Sequence, residues 1–366
     1  MRVGIVGIID KNNFGNRLQN YALQVCLSRY SGDVLTIRNK QFLDVPWKNI
    51  IRRSAVVDSP AILRLTGMHR SAAHARFTKD YINTSKGCCW FNVEGTAPEV
   101  RNHCHLYCAG SDQIWNPDFG RWGMFNYLGF ANPEQTFSYA ASFGVDKIPA
   151  QYVADVRKGL QHIKYISVRE DAGKRIVEEL TGRTDAQVLV DPTMLLTTQQ
   201  WDEIARKPKA QMPRKYVLTY FLGDVPCQRT ESIRRKADQM GAQVIELMDK
   251  NSPFYAIGPS EFVYLIKHAC LVCTDSFHAS VFSFLYQRPV AIFDRKGSAD
   301  NMGSRLQTLA AKFGLQSSLA VGDAMPDLPV DVDYTAGFAA LDEERKKSKA
   351  FLDMVFQEAE RAGLCK

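Results

Sequence analysis

The residue with the clearest capacity for chemistry is a histidine that follows a short apolar run. Residues 271–273 are apolar, Thr274-Asp-Ser276 form a polar turn, and His278 comes two positions later. This pattern predicts a strand followed by a helix, with His278 in the first helical turn. The free N–H groups and the dipole at a helix N-terminus bind phosphate, and imidazole exchanges protons near neutral pH. His278 is therefore a candidate acid or base at an anion site. The alternative is a histidine that only caps the helix or packs.

Several cations could hold such an anion. Arg169 follows the apolar run 165–168, and the planar guanidinium of an arginine at the end of a strand suits phosphate or carboxylate. Pairing with the adjacent Glu170 or Asp171 is the alternative. The other cations flank the glycine-containing turn 297–303. The candidates are Arg169, Arg295, Lys296 and Arg305.

One polar loop contains an indole, in the sequence Gly110-Ser-Asp-Gln-Ile-Trp-Asn-Pro117. This composition is typical of a sugar-binding site. Aromatic faces stack on sugar rings, while Asp, Asn and Gln side chains bind hydroxyl groups. Core packing of Trp115 is the alternative. The first strand is not followed by GxGxxG, and GxxxxGK[ST] does not occur in the chain. A dinucleotide site and a P-loop are therefore not expected.

Short apolar runs, polar turns and helical patterns alternate along the chain, which implies parallel βαβ units. The alternation breaks in the linker 197–215, which is rich in Lys and Pro, and then restarts. We predict an α/β protein with two doubly wound Rossmann-like domains, 1–196 and 216–335, that face a cleft. The helical tail 336–366 would pack back on the first domain. Ligands bind at the carboxyl ends of parallel strands, so the polar turns named above should meet in the cleft.

Composition and length are those of a folded globular protein. The chain has 366 residues, of which 45% are hydrophobic and 23% are charged. No apolar run approaches the roughly 18 residues of a membrane span. The apolar segment 1–9 is too short for a signal peptide and lacks a cleavage site, so it is predicted to be a strand and the protein to be cytoplasmic.

Nine cysteines without framework spacing are most simply explained as buried residues in a reducing compartment. Two clusters resemble metal-binding tracts, namely His103-Cys-His105 with Cys108, and Cys270 with Cys273. Both lie in predicted strands, where neighbouring side chains point to opposite faces and do not converge on one ion. No metal site is expected.

Positive charge is concentrated in one segment. The net charge is +7, and residues 40–79 contain eight Lys or Arg against two Asp. The rest of the chain is close to neutral, so a nucleic-acid partner is not expected. Because apolar residues are interleaved in this segment, it could lie on an anionic membrane surface. The alternative is a solvated helical hairpin that packs on the domain.

Six motifs occur in a fixed order along the chain. They are Asn13-Phe-Gly-Asn-Arg-Leu-Gln-Asn-Tyr-Ala-Leu-Gln24, Ala109-Gly-Ser-Asp-Gln-Ile-Trp-Asn116, Tyr139-Ala-Ala-Ser-Phe-Gly144, Ile166-Ser-Val-Arg-Glu170, Val188-Leu-Val-Asp-Pro-Thr193 and Thr274-Asp-Ser-Phe-His278. Together they resemble the polysaccharide pyruvyl transferase family, and the resemblance extends from residue 1 to about residue 355. Each motif alone is weak, but six in order are specific.

This resemblance implies a GT-B-like pair of Rossmann-like domains. It implies phosphoenolpyruvate as donor, a sugar of a cell-surface polysaccharide precursor as acceptor, a cyclic pyruvate ketal as product, and no cofactor. His278 and Arg169 match the histidine and the arginine of the family's motifs. Some members carry an arginine two residues before that histidine, where this chain has Ser276. Arg305, Arg295 or Lys296 would have to supply the missing charge.

The chemistry implied by the resemblance assigns a role to each candidate. His278 would protonate the methylene carbon of the donor, and Asp112 would orient or deprotonate the acceptor. The donor would be bound by Arg169, Arg305, Ser276, Arg295 and Lys296. The acceptor would be bound by Asn16, Gln19, Gln113, Trp115 and Asn116.

Two other functions remain open at this point. A glycosyltransferase with the same architecture would need a nucleotide-sugar site in the second domain, and the sequence has no clear acidic residue to bind the ribose there. A non-catalytic glycan-binding protein would leave His278 and the arginines with structural roles. For a transferase whose acceptor is lipid-linked, residues 40–79 would place the enzyme at the inner face of the cytoplasmic membrane.

Overall fold

The computed structural model describes most of the chain, namely residues 1–8, 12–41, 61–91, 103–118, 122–297, 303–328 and 332–364. The strands are β1 Arg2–Val6, β2 Asp33–Gln41, β3 Thr84–Phe91, β4 Leu106–Ala109, β5 Thr136–Ser138, β6 Ser167–Val168, β7 Gln187–Val188, β8 Tyr216–Tyr220, β9 Gln243–Glu246, β10 Leu271–Thr274 and β11 Val290–Ile292. The helices are α1 Phe14–Leu27, α2 Ala61–Tyr81, α3 Val153–His162, α4 Asp171–Thr181, α5 Thr198–Ile204, α6 Cys227–Gln239, α7 Pro259–His268, α8 Phe277–Leu285, α9 Gly303–Phe313 and α10 Thr335–Arg361.

The first sheet has the strand order β3-β2-β1-β4-β5, and all of its neighbouring strands are parallel. The short parallel pair β6-β7 continues it through the bridges Phe137–Tyr165 and Ala141–Val168. Strand β4 is buried along its whole length, as expected of a parallel strand that is covered on both faces. The carboxyl ends of β4, β6 and β7 therefore lie along one edge of the first domain.

The second sheet has the order β11-β10-β8-β9 and is also parallel. Its central strand β8 is buried throughout, and so is β10, which ends next to α8. Two parallel α/β sheets with helices between their strands confirm the predicted class, a GT-B-like pair of Rossmann-like domains.

The C-terminal helix α10 contacts both domains. Near its start, Phe338 stacks on Phe284 of the second domain, with 4.9 Å between the ring centroids. Near its end, Phe356 stacks on Tyr30 of the first domain at 4.6 Å and contacts Phe137 of strand β5. The tail thus packs on the first domain with its second half and on the second domain with its first half.

Helix α1 begins at Phe14 because of the residue before it. Asn13 occupies the N-cap position, and its side chain accepts a hydrogen bond from the backbone N–H of Asn16. The helix therefore starts at Phe14, and its first turn lies at the cleft between the two domains, where Phe14 stacks on Phe262 at 4.5 Å.

The basic segment 40–79 is described only in part, since residues 42–60 lie outside the described ranges. Within α2, Arg70 is buried and donates hydrogen bonds to the backbone carbonyl of Tyr255, at 3.0 Å, and to that of Leu247. Arg70 thus bridges α2 to the second domain and is not available to a membrane surface, contrary to the expectation for the whole segment. Among the described helices, none is long and apolar enough to cross a membrane.

Candidate active site

The carboxyl ends of strands from both sheets bring four ionisable side chains together. Asp112 follows β4, Arg169 follows β6, and Asp191 lies three residues after β7, all in the first domain. His278 lies in the first turn of α8 in the second domain. The first three side chains lie in the segments that follow strands, and His278 lies at the start of the helix that follows β10. These are the positions where open α/β sheets bind ligands.

Asp191 is the centre of this cluster. Its Oδ2 accepts hydrogen bonds from Arg169 Nη1 at 2.7 Å and Ser111 Oγ at 2.9 Å, and it lies 3.6 Å from His278 Nε2. Its Oδ1 accepts from the backbone N–H of Thr193 at 2.9 Å and from Thr193 Oγ1 at 2.7 Å. Burial alone would raise the pKa of Asp191, but His278, Arg169 and Thr193 outweigh it and hold this pKa well below its usual range. Asp191 is therefore a buried carboxylate.

Arg169 is surrounded by three carboxylates. Its nitrogens lie 2.7 Å from Asp191, 3.9 Å from Asp112 and 3.9 Å from Glu170, and its side chain is 2% exposed. Burial lowers the pKa of Arg169, but the three carboxylates together raise it above its ordinary value. The guanidinium lies over the ring of Phe277 at 4.5 Å. Within the described part of the chain, Nε and Nη2 have no hydrogen-bond partner, so these donors can bind a ligand.

Arg305, near the start of α9, adds a second buried cation. Burial, together with the positive charge of Arg169, lowers the pKa of Arg305 to about 10. With its amide oxygen turned towards Arg305, Gln113 accepts from Nη2 at 2.7 Å and from Nη1 at 3.2 Å. Arg169 and Arg305 line the same small cavity, and two neighbouring guanidinium groups favour an anion between them.

The space beside these cations is narrow. A cavity of about 20 Å³ is lined by residues that include Arg169, Asp191, Phe277 and Arg305. Pockets that hold small molecules are typically about 300 Å³ or larger. The cavity that the described residues leave here is therefore smaller than such a pocket.

His278 is buried between the two domains. One side of its imidazole faces Asp191, and the other faces Gly15 in the first turn of α1. A Cβ atom on Gly15 would lie 2.5 Å from Cγ and 2.7 Å from Cε1 of His278, and closer still to Nδ1. The absence of a side chain at position 15 thus allows the histidine to reach Asp191.

Asp112 has an unusual backbone conformation. Its φ angle of 78° lies in the left-handed region, which costs a residue other than glycine roughly 1–3 kcal/mol. The side chain accepts a hydrogen bond from the backbone N–H of Gln113 at 2.9 Å and points one oxygen towards Arg169. Strain held at a charged residue beside a cation cluster is consistent with a functional role for Asp112.

The remaining candidates for donor binding differ in position. Ser276 is the N-cap residue of α8, directly before Phe277, and is buried beside the cluster. Arg295 donates to the backbone carbonyl of Asp275 at 3.1 Å and contributes to the charge around Arg305. Lys296 points elsewhere, since it is 45% exposed and pairs at 2.7 Å with Asp323. The structure thus keeps Ser276 and Arg295 near the site and corrects the expectation for Lys296.

The candidates for acceptor binding also differ in whether they contact the cation cluster. Gln113 contacts Arg305, and Gln19 and Asn16 are buried in α1, where the Gln19 amide donates to the Asn16 carbonyl at 3.1 Å. Asn116 accepts a hydrogen bond from the backbone N–H of Asp118 and so stabilises its own loop. Of these residues, only Gln113 has a contact with the cation cluster among the described interactions.

Trp115 is a core residue. It is 0% exposed, stacks on Tyr127 with ring centroids 5.3 Å apart, and contacts Phe143. Its indole N–H donates to the backbone carbonyl of Asn126 at 3.0 Å. The prediction that Trp115 stacks on a sugar is therefore wrong, because no ring face is open to the cleft.

Asp191, Ser111 and Thr193 were not among the predicted site residues. The available signal was the sequence Asp191-Pro-Thr193 shortly after strand β7, where an Asp caps a short 3₁₀ turn. The cap explains the hydrogen bonds that Asp191 Oδ1 accepts. It does not explain the position of Oδ2, which lies next to His278 of the second domain. As for metals, nowhere in the described ranges do three or more His, Cys, Asp or Glu side chains converge in a way that could hold an ion.

Fold and site together define a two-domain α/β protein in which ionisable side chains from both domains meet in one cleft. Within that class, the chain belongs to the polysaccharide pyruvyl transferase family, whose sequence model matches residues 13–297. The predicted family is thus confirmed over well more than half of the chain. Members of this family are transferases for polysaccharide pyruvylation. No curated protein sequence matches the chain closely.

Several solved structures share the general outline of the chain at low identity. UDP-GlcNAc 2-epimerase from Neisseria meningitidis, bound to UDP-GlcNAc, is 10% identical, with a TM-score of 0.42, over 98% of this chain and 94% of its own. The Methanocaldococcus jannaschii UDP-GlcNAc 2-epimerase, in complex with UDP-GlcNAc and UDP, is 11% identical, with a TM-score of 0.45, over 95% and 100%. The spinosyn rhamnosyltransferase SpnG is 10% identical, with a TM-score of 0.34, over 99% and 95%.

Proposed function

We propose that the protein transfers the enolpyruvyl group of phosphoenolpyruvate to two hydroxyls of one sugar in a cell-surface polysaccharide precursor. The products are a cyclic pyruvate ketal and phosphate. The observation that carries this proposal is the meeting of His278 with Asp191, Arg169 and Arg305 in one cleft. Membership of the polysaccharide pyruvyl transferase family supports it.

The two arginines suit the charges of the donor. Phosphoenolpyruvate carries a carboxylate and a phosphate. Arg169 bonds Asp191 through Nη1, and its buried donors Nε and Nη2 make no hydrogen bond among the described residues. Arg305 places a second positive charge beside Arg169. In our proposal these residues bind the donor, and Arg295 and Ser276 lie at the edge of the same site. Charge-assisted hydrogen bonds of this kind are among the strongest in proteins.

The proton chemistry is assigned to His278. It gives a proton to the methylene carbon of the donor, and positive charge develops at the central carbon. One sugar hydroxyl attacks that carbon, the bond from carbon to the phosphate oxygen breaks, and a second hydroxyl closes the ring. The two hydroxyl protons balance the reaction, because one replaces the proton given by His278 and the other leaves with phosphate. General acid catalysis typically contributes about 10²–10⁴ in rate.

Asp112 is the proposed group for the acceptor. Its carboxylate lies 3.9 Å from Arg169, so a hydroxyl placed against it would be close to a donor bound by that arginine. We propose that Asp112 orients this hydroxyl and accepts its proton, with Gln113 beside it. Phosphoenolpyruvate is a co-substrate of the proposed reaction, which needs no cofactor.

Contact with an anionic membrane is a separate proposal for a lipid-linked acceptor. It rests on the sequence of residues 40–79, of which 42–60 lie outside the described ranges, and not on Arg70, which is buried. Binding to anionic vesicles should weaken with added salt and with charge reversal at Arg52, Arg53 and Arg64. Binding that these reversals leave unchanged would exclude the contact.

Thermal-shift titration with phosphoenolpyruvate, run beside UDP- and GDP-sugars, tests the function. A ligand that binds only the folded state adds about 2.7 kcal/mol of stability at a hundred times its Kd. Stabilisation by phosphoenolpyruvate that is lost in Arg169→Ala supports the proposal, and phosphate release with candidate acceptors follows. Stabilisation by a nucleotide sugar alone would overturn the proposal in favour of glycosyl transfer.

A further inference from the structure

A second cavity lies in the second domain, separate from the cluster around Asp191. Its volume is about 230 Å³, and it lies between helix α6 and the strands β8 and β9, towards the carboxyl ends of these strands. Open α/β sheets bind ligands at this edge, and the cavity beside Arg169 measures only about 20 Å³. The larger cavity is therefore a candidate ligand site that the proposed chemistry does not use.

The lining of this cavity is half apolar and half polar. Five of its ten residues are apolar, and the other five carry a hydroxyl group, a carboxylate or a guanidinium. Val225 and Met248, at 42% and 41% exposure, are two of the four large apolar side chains that are exposed in the described part of the chain. Burial of apolar surface is favourable, so a ligand that covers these two side chains gains affinity. Such a ligand has an apolar face as well as hydrogen-bonding groups.

The charges of the lining favour a neutral ligand. Glu246 and Asp249 supply two negative charges, and Arg234 supplies one positive charge, so their sum is −1. A negative sum disfavours a phosphate or a carboxylate in the cavity. A ligand that carries hydroxyl groups but no anionic group fits these charges.

Glu246, the last residue of β9, is the group that can bind hydroxyls with the least loss. Its described side-chain contact is with Arg234, at 3.7 Å between Oε1 and Nη2, and the two side chains are 43% and 64% exposed. This distance is too long for a hydrogen bond, and an exposed ion pair contributes little. Asp249, in contrast, accepts a hydrogen bond from the backbone N–H of Asn251 at 2.9 Å. The oxygens of Glu246 can thus accept hydrogen bonds from a ligand without breaking a strong contact.

A short loop connects this cavity to the turn that carries the candidate acid. In the loop, which follows β8, Leu222 and Gly223 donate their backbone N–H groups to the carboxylate of Asp275 at 2.8 and 2.9 Å. Asp275 lies between β10 and α8, three residues before His278. Val225 of the same loop lines the cavity. A saccharide of more than one ring therefore has to cross only this loop to occupy both places.

We propose that this cavity binds a neutral sugar ring. Such a ring has an apolar face of C–H groups, which Val225 and Met248 cover, and hydroxyl groups, which donate to Glu246. One part of the proposal rests on the proposed function, namely that the bound ring is a unit of the acceptor that does not itself react. The binding of the ring does not depend on the transfer reaction.

Nuclear magnetic resonance of isotope-labelled methionine methyl groups tests the binding. The probes are the methyl glycosides of glucose, galactose, mannose and N-acetylglucosamine, with UMP and GMP run beside them. We expect at least one glycoside to shift the Met248 signal in a saturable way, while the signal of Met354, which packs on the first domain, stays in place. A Met248 signal that no glycoside shifts would overturn the proposal. A shift with the nucleotides alone would do so in favour of a nucleotide site.

Substitution of the carboxylate tests its role. Glu246→Ala removes the acceptor oxygens, and we expect the Kd of the bound glycoside to rise by about tenfold or more. The matched control is Glu231→Ala, at an exposed position of α6 outside the lining, which should leave this Kd unchanged. Equal Kd values for Glu246→Ala and the wild type would contradict the assignment of Glu246.

The kinetics separate the possible failures. With an acceptor that supports phosphate release, Glu246→Ala should raise KM for the acceptor several-fold more than KM for phosphoenolpyruvate. If both KM values stay unchanged while a glycoside still shifts Met248, the cavity binds a sugar that is not part of the acceptor, and that part of the proposal is wrong. If phosphate release fails with every acceptor, the proposed function fails, but the resonance of Met248 still decides whether the cavity binds a sugar.

Discussion

The imidazole of His278 rests directly against the backbone of Gly15, although 262 residues separate the two in the chain. The contact places the candidate acid of the second domain on the first turn of α1 in the first domain. A glycine at this position lets the ring approach Asp191, which lies on its other side. The packing of the second domain against α1 therefore also sets the position of His278 relative to Asp191.

Gly15→Ala tests whether the close approach of His278 to α1 matters for catalysis, apart from the ordinary effect of alanine on helix stability. An alanine inside a helix is normally favoured over glycine by about 1 kcal/mol, but here its Cβ would overlap the His278 ring. Since a displacement of about 1 Å can cost two orders of magnitude in rate, we expect phosphate release to fall by at least about tenfold. Steady-state kinetics with phosphoenolpyruvate and acceptor would measure this.

The control for that substitution is Gly32→Ala. A Cβ at Gly32 would meet no atom within 4 Å, so turnover should stay close to that of the wild type. A Gly15→Ala variant with normal turnover would show that the close approach has no role in catalysis.

Arg305→Gln should weaken donor binding. A buried guanidinium beside Arg169 favours an anion, and a hydrogen bond to a charged group contributes about 1.5–3 kcal/mol. We therefore expect KM for phosphoenolpyruvate to rise by about tenfold or more. Lys296→Gln is the matched control, because Lys296 pairs with Asp323 outside the cluster and should leave KM unchanged. Equal effects of the two substitutions would contradict the assignment of Arg305.

Asp112→Asn should lower kcat with little change in stability. Asn tolerates the left-handed backbone and has nearly the same size, so the loop should keep its shape. Loss of the carboxylate removes the proposed base, for which we expect a fall in kcat of about 10². Asp118→Asn, in the exposed part of the same loop, provides the comparison. Unaltered kcat in Asp112→Asn would remove this residue from the chemistry.

Stability should depend on pH through His74 in α2. Burial lowers the pKa of His74 to about 4 from its ordinary 6.5. The folded-state pKa lies below the unfolded one, so the unfolded chain binds more protons between these values, and stability falls as pH drops from about 6.5 to about 4. The expected loss is on the order of 3 kcal/mol. Urea unfolding across this range would measure it.

His74→Phe should remove most of this dependence, because the ring stacks on Phe14 and a phenyl group cannot take up a proton. His69→Asn, at an exposed position of the same helix, should not change it. A wild-type protein whose unfolding free energy is flat between pH 6.5 and pH 4 would contradict the predicted role of His74.

Trp115→Phe tests the assignment of this residue to the core. The substitution leaves the Asn126 carbonyl without the indole donor, and we expect a loss of about 1–3 kcal/mol in the free energy of unfolding. KM for the acceptor should not change, because the ring is enclosed by Tyr127 and Phe143. A rise in that KM with unchanged stability would restore the role in sugar binding.

The sequence by itself was enough to predict the architecture. Alternating apolar runs and helical patterns require parallel βαβ units, because each strand must be covered on both faces. The same local rules locate the turns at the carboxyl ends of strands. His278, Arg169 and Asp112 were predicted as site residues in this way, and the structure places them in one cluster. The six ordered motifs indicated the family that the family model confirms.

Only the tertiary structure decided which of those turn residues act together. Nothing in the local sequence shows that Trp115 packs in the core and does not stack on a sugar. The local sequence also does not show that Lys296 pairs with Asp323, away from the cleft. The role of Asp191 depends on a side chain from the other domain. Local periodicity indicates which face of a segment packs within its own domain. A contact between domains depends instead on how the surfaces of the two folded domains pack against each other. The pair formed by Asp191 and His278 is such a contact.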